Sequence, residues 1–244
     1  MPKCSNGSLF AGIGGFDLGF ERAGIRTVWQ VEIDPYCRRV LEKHFPNAQR
    51  FTDIRECGSH NLPTVDILSG GFPCQDISNA GKRVGIDGER SGLWSEYARI
   101  IRELRPRFVV VENIAALLGR GMERVLGDLA ACGYDAEWDC FRASEFGAPH
   151  QRERLFVIAY PMRDRLQADA YETILRHAER NPRSDGYVGA MGSAGIWSEP
   201  RPTGARPMGV DNGIPSDIHR LKGLGNAIVP QITEWIGRRI MEAQ

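Results

Sequence analysis

Four consecutive apolar residues, Phe108-Val109-Val110-Val111, constrain the fold more than any other stretch of this chain. An apolar run without alternation, dominated by β-branched residues, reads as a strand covered on both faces. That is the condition of a central strand in a parallel sheet. Parallel neighbours need crossover connections, usually helical, and the flanking sequence supplies the alternation. Ser8-Leu9-Phe10 predicts a first strand, then a glycine-rich turn, Ala11-Gly12-Ile13-Gly14-Gly15. A helix follows from Phe16 to Ala23, with Gly24 as its stop. Val28–Val31 predicts a second strand, and Pro35 opens a helix to about His44. Ala48–Phe51 and Val65–Leu68 predict strands three and four. Leu93, Tyr97, Ile100, Ile101 and Leu104 mark an amphipathic helix closed by Arg105-Pro106. Beyond the apolar run come a helix, Met122 to Cys132, stopped by Gly133, and two strands, Tyr134–Cys140 and Leu155–Tyr160. The class is α/β.

The 244 residues suffice for one α/β domain with a small appendage. Basic and acidic residues number 31 each, so the formal net charge is zero. A nucleic-acid surface would therefore be a local patch of Arg and Lys. The six cysteines (4, 37, 57, 74, 132 and 140) form no Cys-x-x-Cys pair and no zinc spacing. Reduced thiols in a cytoplasmic protein without a metal are the expectation. Met1–Gly7 lacks an apolar signal core, and no apolar run approaches the roughly 20 residues that span a bilayer.

Chemistry-bearing residues collect at the strand ends. The turn Phe10–Gly15 suits a nucleotide-like ligand, because glycines admit close approach and a helix N-terminus offers free amides. Its spacing is tighter than the dinucleotide fingerprint. Glu32, ending strand two, can accept both hydroxyls of a ribose. Asp53, ending strand three, is placed to reach an adenine amino group. Each alone reads equally as a turn residue; at successive strand ends they predict an adenosine site. Gly70-Gly71-Phe72-Pro73-Cys74-Gln75 follows strand four, with two glycines and a proline fixing the turn. Taken alone, Cys74 reads as a small buried thiol; the sharper reading is a nucleophile on a rigid turn. Glu112-Asn113 ends the apolar strand, where desolvation raises a carboxyl pKa. A cap or a salt-bridged glutamate is the plain alternative. Arg152 and Arg154, two apart in an extended segment, face the same side and suit a carbonyl or phosphate; for Arg152 an edge-strand charge pair is the alternative.

The pattern changes near Pro161. Residues 163–180 predict a polar helix with Leu166, Ala170, Ile174 and His177 on one side. Residues 181–215 are dense in glycine and proline, which argues against a packed core of their own. Trp197 is interleaved there with Arg183, Arg201 and Arg206. The segment reads either as a solvated loop or as one that orders on nucleic acid. The chain closes on Gly225–Gln231 and a helix from Ile232 to Met241.

Taken in order, Phe10–Gly15, Gly71–Gln75, Val111-Glu112-Asn113-Ile114, Gln151-Arg152-Glu153-Arg154 and Gly225–Pro230 resemble the DNA (cytosine-5)-methyltransferase family. The likeness covers residues 8 to 160 almost continuously and resumes near 220. It implies a class I S-adenosylmethionine-dependent, Rossmann-like fold with a mostly parallel seven-stranded sheet. It implies methylation of a flipped-out cytosine in double-stranded DNA, with Cys74 adding to carbon 6. Glu112 would hold or protonate ring nitrogen 3, and Arg154 would contact the carbonyl oxygen and steady Glu112, with Arg152 beside it among the catalytic residues. Cofactor contacts carried over by position are Phe10, Gly12, Gly15, Glu32, Ile33, Asp53, Ile54, Pro73, Leu93, Asn226 and Ile228. DNA contacts implied are Gln75, then Lys82, Arg83 and Arg90 on the loop from Gly81 to Gly92, and Arg201 and Arg206. The division expected is a catalytic and cofactor-binding domain over 1–161, a reduced target-recognition segment over 162–219, and a return to the catalytic domain over 220–244. The resemblance also brings a cognate restriction endonuclease into view, and a monomer is expected. The chain departs from the family in the short interval before Gly225-Asn226, in lacking a clear copy of the segment that normally precedes it, and in His150, where many relatives have glutamine. Alternatives are methylation of tRNA and a weakly active DNA-binding relative.

Overall fold

A computed structural model describes residues 4–73, 92–162, 174 and 227–243. Cys74, Gln75, Lys82, Arg83, Arg90, Arg201, Arg206, Asn226 and all of the expected helix over 163–180 except Ile174 lie outside the described residues.

Seven strands form one sheet in the order β3-β2-β1-β4-β5-β7-β6. They are β1 (Ser5–Leu9), β2 (Arg26–Val31), β3 (Gln49–Phe51), β4 (Ile67–Gly71), β5 (Phe108–Asn113), β6 (Tyr134–Arg142) and β7 (Glu153–Pro161). The helices are α1 (Gly15–Arg22), α2 (Pro35–His44), α3 (Leu93–Leu104), α4 (Met122–Ala131) and α5 (Pro230–Glu242). From β3 to β5 all neighbours are parallel; β7 inserts antiparallel between β5 and β6. The sheet is therefore mostly parallel, as expected. The chain steps outward from β1 to β3 and then returns to the other side of β1. That reversal opens a crevice at the C-terminal ends of β1 and β4, the usual ligand position in open α/β sheets.

All six residues of β5 are buried. Val109 and Val111 enter one core layer with Trp29, Trp94 and Tyr97, while Phe108 and Val110 enter the opposite layer with Phe20, Trp235 and Ile236. Coverage on both faces is what the unbroken apolar run demanded. α2 and α3 keep the predicted bounds because their end signals are local. Asp34 caps α2 by accepting from the amides of Tyr36 (2.8 Å) and Cys37 (3.3 Å). Arg105, with φ 52°, turns the chain out of α3.

Two strands shift from their predicted places. β1 begins three residues earlier than expected and ends before Phe10, whose φ is 53°. Fully buried Asn6 disguised its start as a polar approach. β4 runs to Gly71 rather than stopping at Leu68, in register from Ile67 opposite Phe108 to Gly71 opposite Glu112. Gly70 and Gly71 belong to the sheet, with no left-handed dihedral.

α5 returns to the start of the chain and packs on α1. A Cβ on Gly19 would fall 1.9 Å from Thr233 Oγ1 and 2.4 Å from the Pro230 carbonyl oxygen. The Thr233 hydroxyl donates to the Gly15 carbonyl (3.1 Å). Small residues thus let two helices approach backbone to backbone directly behind the glycine turn.

Candidate active site

The glycine turn leaves β1 through two left-handed positions, Gly12 (φ 57°) and Gly14 (φ 88°). Glu32, at the end of β2, holds this turn. Its Oε2 accepts the Gly12 amide at 2.7 Å and its Oε1 accepts the Asp34 amide at 2.7 Å. Burial pushes the Glu32 carboxyl up, and those two amides pull it back. Nothing lies within 4 Å of a Cβ built on Gly12, so the turn faces open space. Ile33, 61% exposed, flanks that space. On the far side the Ile228 carbonyl oxygen sits 2.7 Å from an ideal Cβ on Gly15. Phe10 stacks loosely on Tyr97, with ring centroids 6.3 Å apart.

Beyond β3, Asp53 caps the short 3₁₀ turn Ile54–Glu56 and is gripped by Arg55, whose Nη2 donates to Oδ2 at 2.6 Å. That pair holds the Asp53 carboxyl below its ordinary range. Ile54 is 3% exposed and packs into the core, so its main chain is what it offers to the crevice. Arg99 of α3 locks this turn from behind, donating to the carbonyls of Ile54 (3.1 Å) and Cys57 (2.9 Å). Leu93 opens α3 half-buried.

Glu112 ends β5 with 8% of its surface exposed. Arg154 Nε lies 2.9 Å from its Oε1. Burial pushes the Glu112 carboxyl up; the charges of Arg154 and then Arg152 draw it down. The two arginines therefore converge on one carboxylate. They do so because β7 is antiparallel, so its first residues stand at the rim where β5 ends. Arg154 lies within the strand, opposite Phe141, whereas Arg152 precedes it, its carbonyl accepting the Ala143 amide (2.8 Å).

Asn113 is a functional candidate to which the sequence reading gave no role. Its side-chain amide donates to the Phe72 carbonyl at 3.1 Å, and its own carbonyl Oδ1 accepts the Ile114 amide at 2.9 Å. It ties the end of β5 to the turn that leads through Pro73 toward Cys74. Adjacency to Glu112 was the one signal available; the partner at the neighbouring strand end was not visible.

The described site residues, Phe10, Gly12, Gly15, Glu32, Ile33, Asp53, Ile54, Pro73, Glu112, Arg152 and Arg154, thus come from successive strand ends on one rim of the sheet. An open glycine turn on one side of that rim and a buried acid paired with Arg154 on the other suit a two-substrate arrangement. A model of C-5 cytosine-specific DNA methylases matches residues 5–187. The chain belongs to that family.

Among the methylase relatives, the type II methyltransferase M2.BsuMI of Bacillus subtilis is 35% identical over 187 residues, which cover 73% of this chain and 46% of that protein. M1.ScrFI of Lactococcus lactis subsp. cremoris is 38% identical over 157 residues, covering 62% of this chain and 40% of that protein. The chain thus spans less than half the length of these curated relatives. The methyltransferase EhMeth of Entamoeba histolytica shares the fold, with a TM-score of 0.58 at 17% identity over 67% of this chain and 54% of that one. Among the described residues, no helix is long and apolar enough to cross a membrane.

Proposed function

We propose that this chain transfers a methyl group from S-adenosylmethionine to carbon 5 of a cytosine extruded from double-stranded DNA. The observation that carries the reading is the Glu112–Arg154 pair on the rim where β4 leads toward Cys74, beside the open glycine turn. The open space before Gly12, the exposed Ile33 and the buried Glu32 carboxylate fit a nucleoside-bearing cofactor. When bound, S-adenosylmethionine supplies an electrophilic methyl group.

The chain's own residues prepare the acceptor. Cys74, as thiolate, adds to carbon 6 of the ring, and the electrons displaced make carbon 5 a nucleophile. A free thiol of pKa ~8.5 is only slightly ionised near neutrality, so the site has to favour the thiolate. Glu112, its carboxyl pushed up by burial and drawn back by Arg154 and Arg152, is placed to hold or protonate ring nitrogen 3 and so to offset the charge that addition creates there. Arg154 orients that carboxyl and contacts the ring carbonyl. A base such as water then takes the carbon 5 proton, and the electrons of that bond re-form the carbon 5–carbon 6 double bond as the Cys74 thiolate leaves. A stacked base shields both faces of its ring, so the cytosine must leave the helix, at a cost of a few kcal/mol.

We place the catalytic unit in residues 1–161 with 220–244, and target recognition in 162–219. A monomer acting on DNA in the cytoplasm, with a cognate restriction endonuclease as companion, completes the proposal. The relatives' description as type II methyltransferases supports that companion.

Incubation with labelled S-adenosylmethionine and duplex DNA tests the reading, with tRNA in a parallel arm. The wild-type chain should label the duplex and not the tRNA, and Cys74→Ala should label neither. Equal labelling of duplex by the two proteins removes the nucleophile assignment; labelling of tRNA alone removes the substrate.

A further inference from the structure

β4 ends on two glycines that the sheet uses differently. A Cβ on Gly70 would lie 2.4 Å from the carbonyl oxygen of Leu9 in β1, an atom held by the sheet itself. A Cβ on Gly71 would lie 2.4 Å from Glu112 Oε2 and 3.6 Å from Glu112 Cδ. The nearest backbone atom to that Cβ, the Glu112 carbonyl oxygen, stands 3.5 Å away, an ordinary contact. So the space beside Gly71 is taken by a carboxylate, not by a strand. Gly71 and Glu112 are register partners, and the other carboxylate oxygen is held by Arg154 at 2.9 Å. The carboxyl is lodged between a bare Cα on one strand and a guanidinium two strands away.

We propose that Gly71 is a positioning residue for cytosine methylation: its missing side chain is the seat that aims the Glu112 carboxyl at the ring. The inference rests on the function proposed above. A glutamate side chain has several staggered rotamers, and the Arg154 ion pair at Oε1 does not by itself fix where Oε2 lies. The bare Cα lets the second oxygen lie across β4, on the rim that continues through Phe72 and Pro73. Any larger residue at 71 drives the carboxyl off that seat, because the side chain can rotate and the strand cannot. Its cost falls on the orientation of the acid, and only slightly on the fold. A misplacement of about 1 Å in a reacting constellation can cost about 100-fold in rate.

Four variants test this: Gly71→Ala, Gly70→Ala, Glu112→Asp and the double variant Gly71→Ala/Glu112→Asp. Gly71→Ala should melt near wild type and keep its KM for S-adenosylmethionine, while kcat falls about 100-fold. Gly70→Ala should lose thermal stability, because its clash is with backbone. Aspartate is one methylene shorter and escapes the overlap, so the double variant should be no slower than Glu112→Asp alone. A crystal structure of Gly71→Ala should show the Glu112 carboxyl displaced from Arg154 with the β4–β5 register kept. The inference is overturned by a wild-type kcat in Gly71→Ala, by losses that multiply in the double variant, or by an unmoved carboxyl. If the wild-type chain labels no DNA, the functional reading fails on its own, and the crystal structure still decides whether Gly71 seats the carboxyl.

Discussion

Asp17 is the residue whose chemistry the proposed reaction leaves unused. It sits on α1 just behind the glycine turn, with none of its surface exposed. Among the described residues, neither carboxylate oxygen has a hydrogen-bond partner of good geometry, and neither do the hydroxyl of Ser8 or the amide of Gln30 beside it. Burial pushes the carboxyl from 3.8 to about 7, with Gln30 and Ser8 drawing it partly back. Glu21, on the same helix, adds negative charge nearby. The folded protein therefore holds this proton more tightly than the unfolded chain does. The resulting stabilisation is complete below pH 3.8 and is lost as pH rises through about 7. At about 1.4 kcal/mol per pKa unit the span is on the order of 4 kcal/mol. Asp17→Asn keeps the shape without the titration. Its melting temperature should gain on the wild type progressively from about pH 4 to pH 7, where unfolded and folded states differ in bound protons. Parallel pH profiles of the two proteins would rule this out.

At the scale of elements, the pairing of α1 with α5 depends on what glycine omits. Gly19→Ala places a Cβ against Thr233 Oγ1 and the Pro230 carbonyl. It should cost about 1–3 kcal/mol, the usual range for overpacking. Gly127, exposed on α4, has nothing within 4 Å of its added Cβ. There alanine should add about 0.5–1 kcal/mol through helix propensity alone. Urea midpoints of the two variants should move in opposite directions; a shift of the same sign would remove the packing account. The contrast marks what was readable from sequence. α2 and α3 were found because proline, a capping aspartate and apolar periodicity are local signals. β1 and β4 were misplaced because the stretch around buried Asn6 looks like a loop and because paired glycines look like a turn. Only a neighbouring strand shows that Gly70 and Gly71 make room.

At the scale of the molecule, a formal charge of zero gives no long-range pull on a polyanion. Attraction to DNA would rest on local groups, chief among them Lys82, Arg83 and Arg90. Each phosphate contact on duplex DNA contributes about 0.9 to the slope of log K against log salt. Replacing all three with alanine should flatten that slope by about 2.7, the sum of three such contacts. Fluorescence anisotropy on a duplex across salt concentrations would show it. An unchanged slope would move the contacts elsewhere, with Arg201 and Arg206 next in line.

The sequence by itself determined that the chain is α/β, where α2 and α3 start and stop, and that glycines and acids fall at strand ends. All of these follow from interactions within a few residues, such as periodicity, capping and the dihedral limits of glycine and proline. Only the tertiary structure decided that β7 enters antiparallel beside β5. That insertion brings Arg154 to Glu112, while the parallel pairing of β4 with β5 joins Asn113 to the Phe72 carbonyl and sets the Glu112 carboxyl over Gly71. Strand order is a choice among non-local pairings, and side-chain periodicity is silent on which neighbour a strand will take. Asp53 shows the same limit in miniature: its position was readable, but its capture by Arg55 depended on how the turn after β3 folds.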